Sequence, residues 1–238
     1  MKKPKVIVMD MGGTLLDSSD VNFELGVKHI YDNYCIHDIS YEEVLEDYKL
    51  ICDIGFKKRD NDNFELNFHN ALNYIDKTVG LNKEVDYYQI EKEFVDITMP
   101  RILVAGVDTF LEVTKKLQIP VYVLSNSCFS SEELKHELKE FKIENYFEDV
   151  LSSGDYLMRK PSEIFYRLII KIIKRKYPNI SLNDIWYIGN DYRCDVSGAS
   201  SAGLTSVWLN RLNQKNFNNL NIIEVNSYFE LIERLKDE

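Results

Sequence analysis

The strongest constraint on this chain sits at residues 5–17. Lys5-Val-Ile-Val-Met-Asp10 is a run of β-formers that ends on a carboxylate, and Met11-Gly12-Gly13-Thr14-Leu-Leu-Asp17 follows it. Adjacent glycines let a backbone turn sharply, so the stretch predicts a buried strand, Asp10 at its carboxyl end and a tight turn directly after. Open α/β sheets bind their ligands at the carboxyl ends of parallel strands. A fold that begins this way places an acid at the working edge of its sheet.

From about residue 18 to 100 the pattern is helical. Phe23, Val27, Ile30, Tyr31 and Tyr34 recur at helical spacing. Ser40 and Glu43 form a capping box ahead of Val44, Leu45, Tyr48 and Ile51. Phe64, Phe68, Leu72, Ile75 and Val79 make a third stripe, which Gly80 closes, and Tyr88 to Ile97 predicts a fourth helix. Helix packing accounts for these stripes. Gly55 to Asn63 reads as a polar loop carrying Lys57, Lys58 and Arg59, the part of the insert best suited to meet an anion, so Lys57 and Arg59 are candidate substrate contacts facing the active site.

After Pro100, strands and helices alternate, the pattern of a parallel sheet. Asp108 is expected to cap a helix through Phe110, Leu111 and Leu117. Pro120 to Leu124 predicts a buried strand ending in Ser125-Asn126-Ser127, and Ser130 with Glu133 caps the next helix. Phe147 to Ser152 predicts a short strand, followed by Arg159-Lys160-Pro161. Ser162 opens a long helix with Ile164, Phe165, Leu168 and Ile172 on its packed face. Ile185 to Ile188 is a strand leading into Gly189-Asn190-Asp191-Tyr-Arg-Cys-Asp195 and a small-residue helix that ends at Gly203. Leu204 to Leu209 and Asn221 to Val225 predict further strands, and Ser227 with Glu230 boxes the last helix. Residues 1–17 and 101–238 are thus expected to form an α/β core, and 18–100 an inserted helical domain.

Four strand ends carry polar groups: Asp10, Ser125 with Asn126, Lys160 after the third core strand, and Asp191 with Asp195. A parallel sheet brings such ends to one edge. The chemistry they suit is transfer of an anionic group to a carboxylate, with Asp10 as nucleophile, Lys160 as a fixed cation and Mg2+ held by carboxylates to offset the repulsion between anions. Thirty-nine acidic against 29 basic residues give a formal net charge of −10, which disfavours a nucleic-acid partner but not a small phosphorylated metabolite met by a local cation. Cys35, Cys52, Cys128 and Cys194 are far apart and form no CxxC pair, as expected of free thiols in a reducing cytosol. No apolar run approaches the roughly 18 residues of a membrane span, so a cytoplasmic protein without a membrane contact is expected. The oligomeric state is left open.

Asp10-Met-Gly-Gly-Thr-Leu, Leu124-Ser125-Asn126, Lys160-Pro161 and Gly189-Asn190-Asp191 through Asp195, with the tail Val196 to Leu204, resemble in order the motifs of the haloacid dehalogenase (HAD) superfamily. The resemblance spans nearly the full length. It implies a Rossmann-like core with the fifth, fourth, first, second and third strands in that spatial order, and a C1-type helical cap that closes over the site and selects the substrate. It also implies Asp10, Gly12 and Lys160 as the catalytic set, Ser125, Asn126 and Lys160 around the substrate, and Mg2+ on Asp10, the Gly12 carbonyl, Asn190 or Asp191, and Asp195. Two departures stand out. Family phosphatases usually carry an acid/base Asp where this chain has Gly12; the family's dehalogenases have a Tyr there and its phosphonate hydrolases a small residue. Asn190 fills a place normally held by Asp, with Asp191 next to it. The expectation is a Mg2+-dependent phosphatase, slow or biased toward good leaving groups. The alternatives are a haloacid dehalogenase, a phosphonate hydrolase using Lys57 or Lys58 in a Schiff base, or a member that binds a ligand or partner without turnover.

Overall fold

The structure, a computed structural model, describes residues 3–36, 39–82, 84, 86–215 and 222–236; Asn221, at the start of the expected last strand, lies outside them. Strand β1 (Val6–Met9) leads through the glycine turn to β2 (Leu16–Ser18). Four helices follow: α1 (Phe23–Tyr34), α2 (Tyr41–Asp62), α3 (Phe68–Thr78) and α4 (Tyr87–Thr98). The chain returns on β3 (Arg101–Leu103), which pairs antiparallel with β2, Asp17 opposite Ile102. The helical insert therefore leaves and re-enters the fold on one short two-stranded root.

The rest alternates as α5 (Val107–Lys116), β4 (Val121–Ser125), α6 (Ser131–Glu140), β5 (Phe147–Ser152), α7 (Glu163–Lys176), β6 (Ile185–Gly189), α8 (Gly198–Ser201), β7 (Thr205–Leu209), β8 (Ile223–Val225) and α9 (Tyr228–Lys236). The main sheet runs β5-β4-β1-β6-β7-β8, every described pair parallel. Ile7 lies level with Val121 on one side and Trp186 on the other. Both faces are covered, as parallel sheets require. Ile7, Met9, Val123 and Ile188 pack under Phe110, Leu134 and Leu231 on one face; Val6, Val8 and Tyr187 pack under Phe165, Ile169 and Ile173 on the other. This is the Rossmann-like α/β architecture, with the expected strand order and β8 added at the edge.

The insert has its own core of Val27, Ile30, Leu72, Ile75, Ile90 and Phe94, and Phe129 joins it from the β4–α6 loop. A backbone seam ties its middle to the rest. Phe64 bridges Met158, the Glu65 amide donates to the Leu157 carbonyl (2.6 Å) and the Arg159 amide to that of Asn63 (3.0 Å). Among the described residues no helix is long and apolar enough to cross a membrane, and the four cysteines are free.

Four local expectations are corrected. Gly55 to Asn63 is not a loop: α2 runs through to Asp62, and Asn63 ends it in the left-handed conformation (φ 55°). Within the polar run Lys58 Nζ pairs with Asp62 (3.1 Å), four residues on, a spacing that adds a little to the helix. Gly55 is there because α2 runs close to Leu66; a Cβ would lie 2.8 Å from that side chain. Phe64 precedes α3, which Asn67 caps instead. Gly106, at φ 86°, occupies the N-cap of α5, so Asp108 falls in its first turn. The buried face of α7 is Phe165, Tyr166, Ile169 and Ile173, while Ile164 is 61% exposed. That helix is apolar on most sides, and Tyr166 decides its rotation by donating its hydroxyl to the Cys194 carbonyl (2.6 Å).

Where α4 meets α6, Glu91 accepts from the Ser130 amide (2.7 Å) and lies 3.0 Å from His69 Nε2. Glu133, 3% exposed, is pushed up to about 9 by burial, with repulsion from Glu137, Glu91 and Asp96 adding to it. The folded chain holds a proton there that the unfolded chain releases near 4.5, so this group withdraws stability as pH rises from 4.5 to about 9. Glu133→Gln should flatten the fall of melting temperature across that window. A profile parallel to the parent's would contradict this assignment.

Candidate active site

Asp10 follows β1 directly, its amide bonded to the Ile188 carbonyl at 2.9 Å. The Met11 carbonyl then gathers the amides of Thr14, Leu15 and Leu16 at 3.2, 2.8 and 3.0 Å, which closes the turn. Gly13 is required there: its φ is +74°, and a Cβ would lie 2.5 Å from Asn190 Nδ2. Gly12 is under no such demand. Its φ is not positive, and no described atom lies within 4 Å of a Cβ placed on it.

Lys160, 1% exposed, is the hub of the site. Its Nζ lies 2.6 Å from Asp10 Oδ1, 2.7 Å from Asp195 Oδ1 and 2.6 Å from the Tyr187 hydroxyl. Burial alone would lower the lysine pKa, but attraction to Asp10 and Asp195 and the hydrogen bonds outweigh it and hold the ammonium above its usual value. Asp195 is pulled the other way: burial raises it against the opposing pull of Lys160. Tyr187, also raised by burial, donates its hydroxyl to the Leu124 carbonyl (3.0 Å).

The remaining expected residues divide by position. Ser125 is buried at the end of β4. Asn126 commits both ends of its amide to Lys160, accepting from the backbone N (2.7 Å) and donating to the backbone O (3.0 Å). It thus fixes the loop that delivers the lysine. Asn190 Oδ1 accepts from the Thr14 hydroxyl (3.0 Å), which is 3.4 Å from Asp10 Oδ2. Asp191 is exposed and turns its Oδ1 to the Cys194 amide (2.6 Å), capping the π-helical turn Tyr192–Ser197. Of the two, Asn190 is the one brought toward Asp10. Both oxygens of Asp195 are engaged, Oδ2 by the Asp191 amide (2.9 Å).

The insert's basic residues lie on a helix and not on the expected loop. Lys57 is exposed on helix α2, and Arg59 Nε is 3.1 Å from Glu65, a carboxylate buried at the seam that also accepts from Ser153 Oγ (2.7 Å). Arg59 thus makes an ion pair between insert residues.

Asp10 Oδ2 is the less committed oxygen of its carboxylate, since 3.4 Å is long for an O–H···O bond. It is the more open of the two. Among the described residues no three His, Cys, Asp or Glu side chains are grouped as a metal cluster. Magnesium does not need one: one or two carboxylates with carbonyls and water suffice. The oxygen of Asp10 that does not attack, the second oxygen of Asp191, Asn190 Oδ1 and the Gly12 carbonyl are all hard oxygen donors, a set that fits that ion.

Residues 7–209 match the family described as haloacid dehalogenase-like hydrolase. This chain belongs to that family. None of the curated proteins matches it, but solved structures do. A HAD phosphatase from Thermococcus onnurineus is 18% identical over 100% of this chain and 99% of its own, with a TM-score of 0.65. A 2-haloacid dehalogenase from Pseudomonas syringae pv. tomato DC3000 is 18% identical over 99% of each chain, TM-score 0.66. A putative HAD-hydrolase of Bacillus subtilis, bound to magnesium, is 17% identical over 98% and 99%, TM-score 0.60. At these identities the likeness is one of fold. Within the HAD frame, sequence reasoning missed Tyr187 and Thr14. Tyr187 left a signal: a tyrosine inside a fully buried strand needs a partner for its hydroxyl. Tyr187→Phe would strip the Leu124 carbonyl of its donor and should cost about 1–3 kcal/mol in denaturant unfolding.

Proposed function

We propose that this hydrolase is a magnesium-dependent phosphatase of a small phosphorylated metabolite. One observation carries the reading: Asp10, Asp195 and Asp191 outnumber Lys160, the one cation among the described residues in contact with Asp10 and Asp195. A phosphate cannot approach so negative an edge without a further positive charge. Magnesium on Asp10, the Gly12 carbonyl and Asn190 or Asp191 would supply it, neutralising the transferring group. The chain's own residues do the rest. Lys160 holds Asp10 in place through Oδ1, Asp10 Oδ2 attacks phosphorus, and the bond to the leaving oxygen breaks. Water then attacks the phosphorus of the aspartyl phosphate, which releases phosphate and restores Asp10. Ser125 lies at the same edge as a contact for the transferring oxygens.

Gly12 gives the reading a specific consequence. No side chain at this position can protonate a departing alkoxide, whereas a nitrophenolate or a carboxylate leaves without help. Aryl and acyl phosphates should therefore react far faster than alkyl phosphates. Gly12→Asp, which the backbone and the open space admit, should raise the alkyl-phosphate rate selectively, by about tenfold or more out of the 10²–10⁴ that a placed acid supplies. A well-folded variant with no such gain would show that another group already donates the proton. The lack of an acid at Gly12 also favours one second reading, attack of Asp10 on the carbon of a 2-haloacid, since a halide leaves unprotonated. A panel of phosphate esters, a 2-haloacid and a phosphonate, assayed with magnesium and with excess chelator, tests both. Phosphate release lost to the chelator supports the phosphatase; metal-independent halide release overturns it.

A further inference from the structure

Arg211 lies just past β7 and reaches back to the turn after β1. Its guanidinium forks onto Asp17, Nη1 to Oδ2 at 2.9 Å and Nη2 to Oδ1 at 2.6 Å, and Nη2 also donates to the Gly13 carbonyl at 2.8 Å. The next carbonyl, that of Thr14, is held by the buried Tyr228 hydroxyl at 3.0 Å. The loop that carries Arg211 is itself braced: Asn210 donates to Glu224 Oε1 (2.6 Å) and to the Gln214 carbonyl (2.9 Å) and accepts from the Gln214 amide (2.8 Å). Asp17 belongs to β2, half of the root from which the helical insert leaves. One side chain therefore touches both the glycine turn beside Asp10 and the base of the insert. Its worth as a stabilising ion pair is small, because Arg211 and Asp17 are 32% and 39% exposed.

We infer that Arg211 is a positioning residue, which holds the Gly13 peptide, and with it the Gly12 and Thr14 groups beside Asp10, in one frame with the root of the insert. The inference rests on the reading of Asp10 as the attacking group. A two-glycine turn supplies no side-chain bracing of its own at 12 and 13, and a planar five-donor fork grips both oxygens of a carboxylate and a carbonyl in one fixed geometry, which a lysine's compact ammonium does not match.

Arg211→Ala should lower kcat about ten- to a hundredfold, the scale of a misplaced reacting group, with KM and melting temperature little changed. Arg211→Lys keeps the charge without the fork and should stay impaired. Guanidinium ion should restore part of kcat to the Ala variant, entering beside the cavity of about 330 Å³ lined by Gly13, Asp17, Asn190 and Arg211; methylammonium should not. Amide hydrogen exchange of residues 12–16 needs no substrate, and it should quicken in Arg211→Ala while that of β1 holds. Parent-like kcat with parent-like exchange would overturn the inference. So would a loss that follows melting temperature and that guanidinium leaves unrescued. If the parent protein hydrolyses no phosphate ester, the phosphatase reading fails on its own, and the exchange measurement still decides the role of Arg211.

Discussion

Asp10→Asn is expected to abolish turnover, by at least about 10⁴-fold, while the protein stays folded. An amide oxygen neither attacks phosphorus usefully nor forms a labile acyl phosphate. The fold should tolerate the change for an electrostatic reason. Lys160 is shared between Asp10 and Asp195 at 2.6 and 2.7 Å, so removing one negative charge leaves a neutral buried pair in place of an orphaned ammonium. Asn at this position can still accept from Lys160. Kinetics and melting temperature on the same preparation check both halves: activity falls to background, stability moves little.

Lys160→Met should fail on both counts. It leaves two carboxylates, 7% and 1% exposed, facing each other without their cation. Breaking a buried pair this way typically costs about 3–5 kcal/mol. The chemistry suffers as well, since a fixed cation at a developing charge is worth about 10²–10³-fold in rate. Adding Asp195→Asn to the Lys160→Met background removes one of the stranded charges. Unfolding free energy should then partly recover while activity does not, a coupling that denaturant titrations of the single and double variants can measure. Full activity in a folded Lys160→Met protein would remove the lysine from the mechanism.

How far the sequence foretold this follows from what each prediction rested on. The strand ends were legible because alternating βα units and a twisted parallel sheet leave few ways to order them, so Asp10, Lys160 and Asp195 could be brought together without coordinates. The helix in place of the Gly55–Asn63 loop was hidden because glycine and a polar run look like a break, but α2 packs close to Leu66 at Gly55 and continues to Asp62. The partner of Arg59, Glu65, follows in the sequence only after the helix has ended at Asn63, a pairing no local pattern reveals. Asn126 illustrates another limit. Its place at a strand end was readable, but its double bond to the backbone of Lys160 depends on two loops meeting. Tyr187 and Arg211 are contacts of this kind too, made by residues far apart in sequence.

The central claim is that Asp10 Oδ2 attacks phosphorus. Rapid-quench mass spectrometry of the peptide carrying Asp10, after mixing the magnesium-loaded protein with an aryl phosphate, tests it most directly. A phosphoryl adduct on Asp10 that forms and decays at rates competent for turnover, and that Asp10→Asn lacks, is the predicted result. Sustained phosphate release with no adduct on Asp10, or a carbon ester of Asp10 formed from a 2-haloacid in its place, would contradict it.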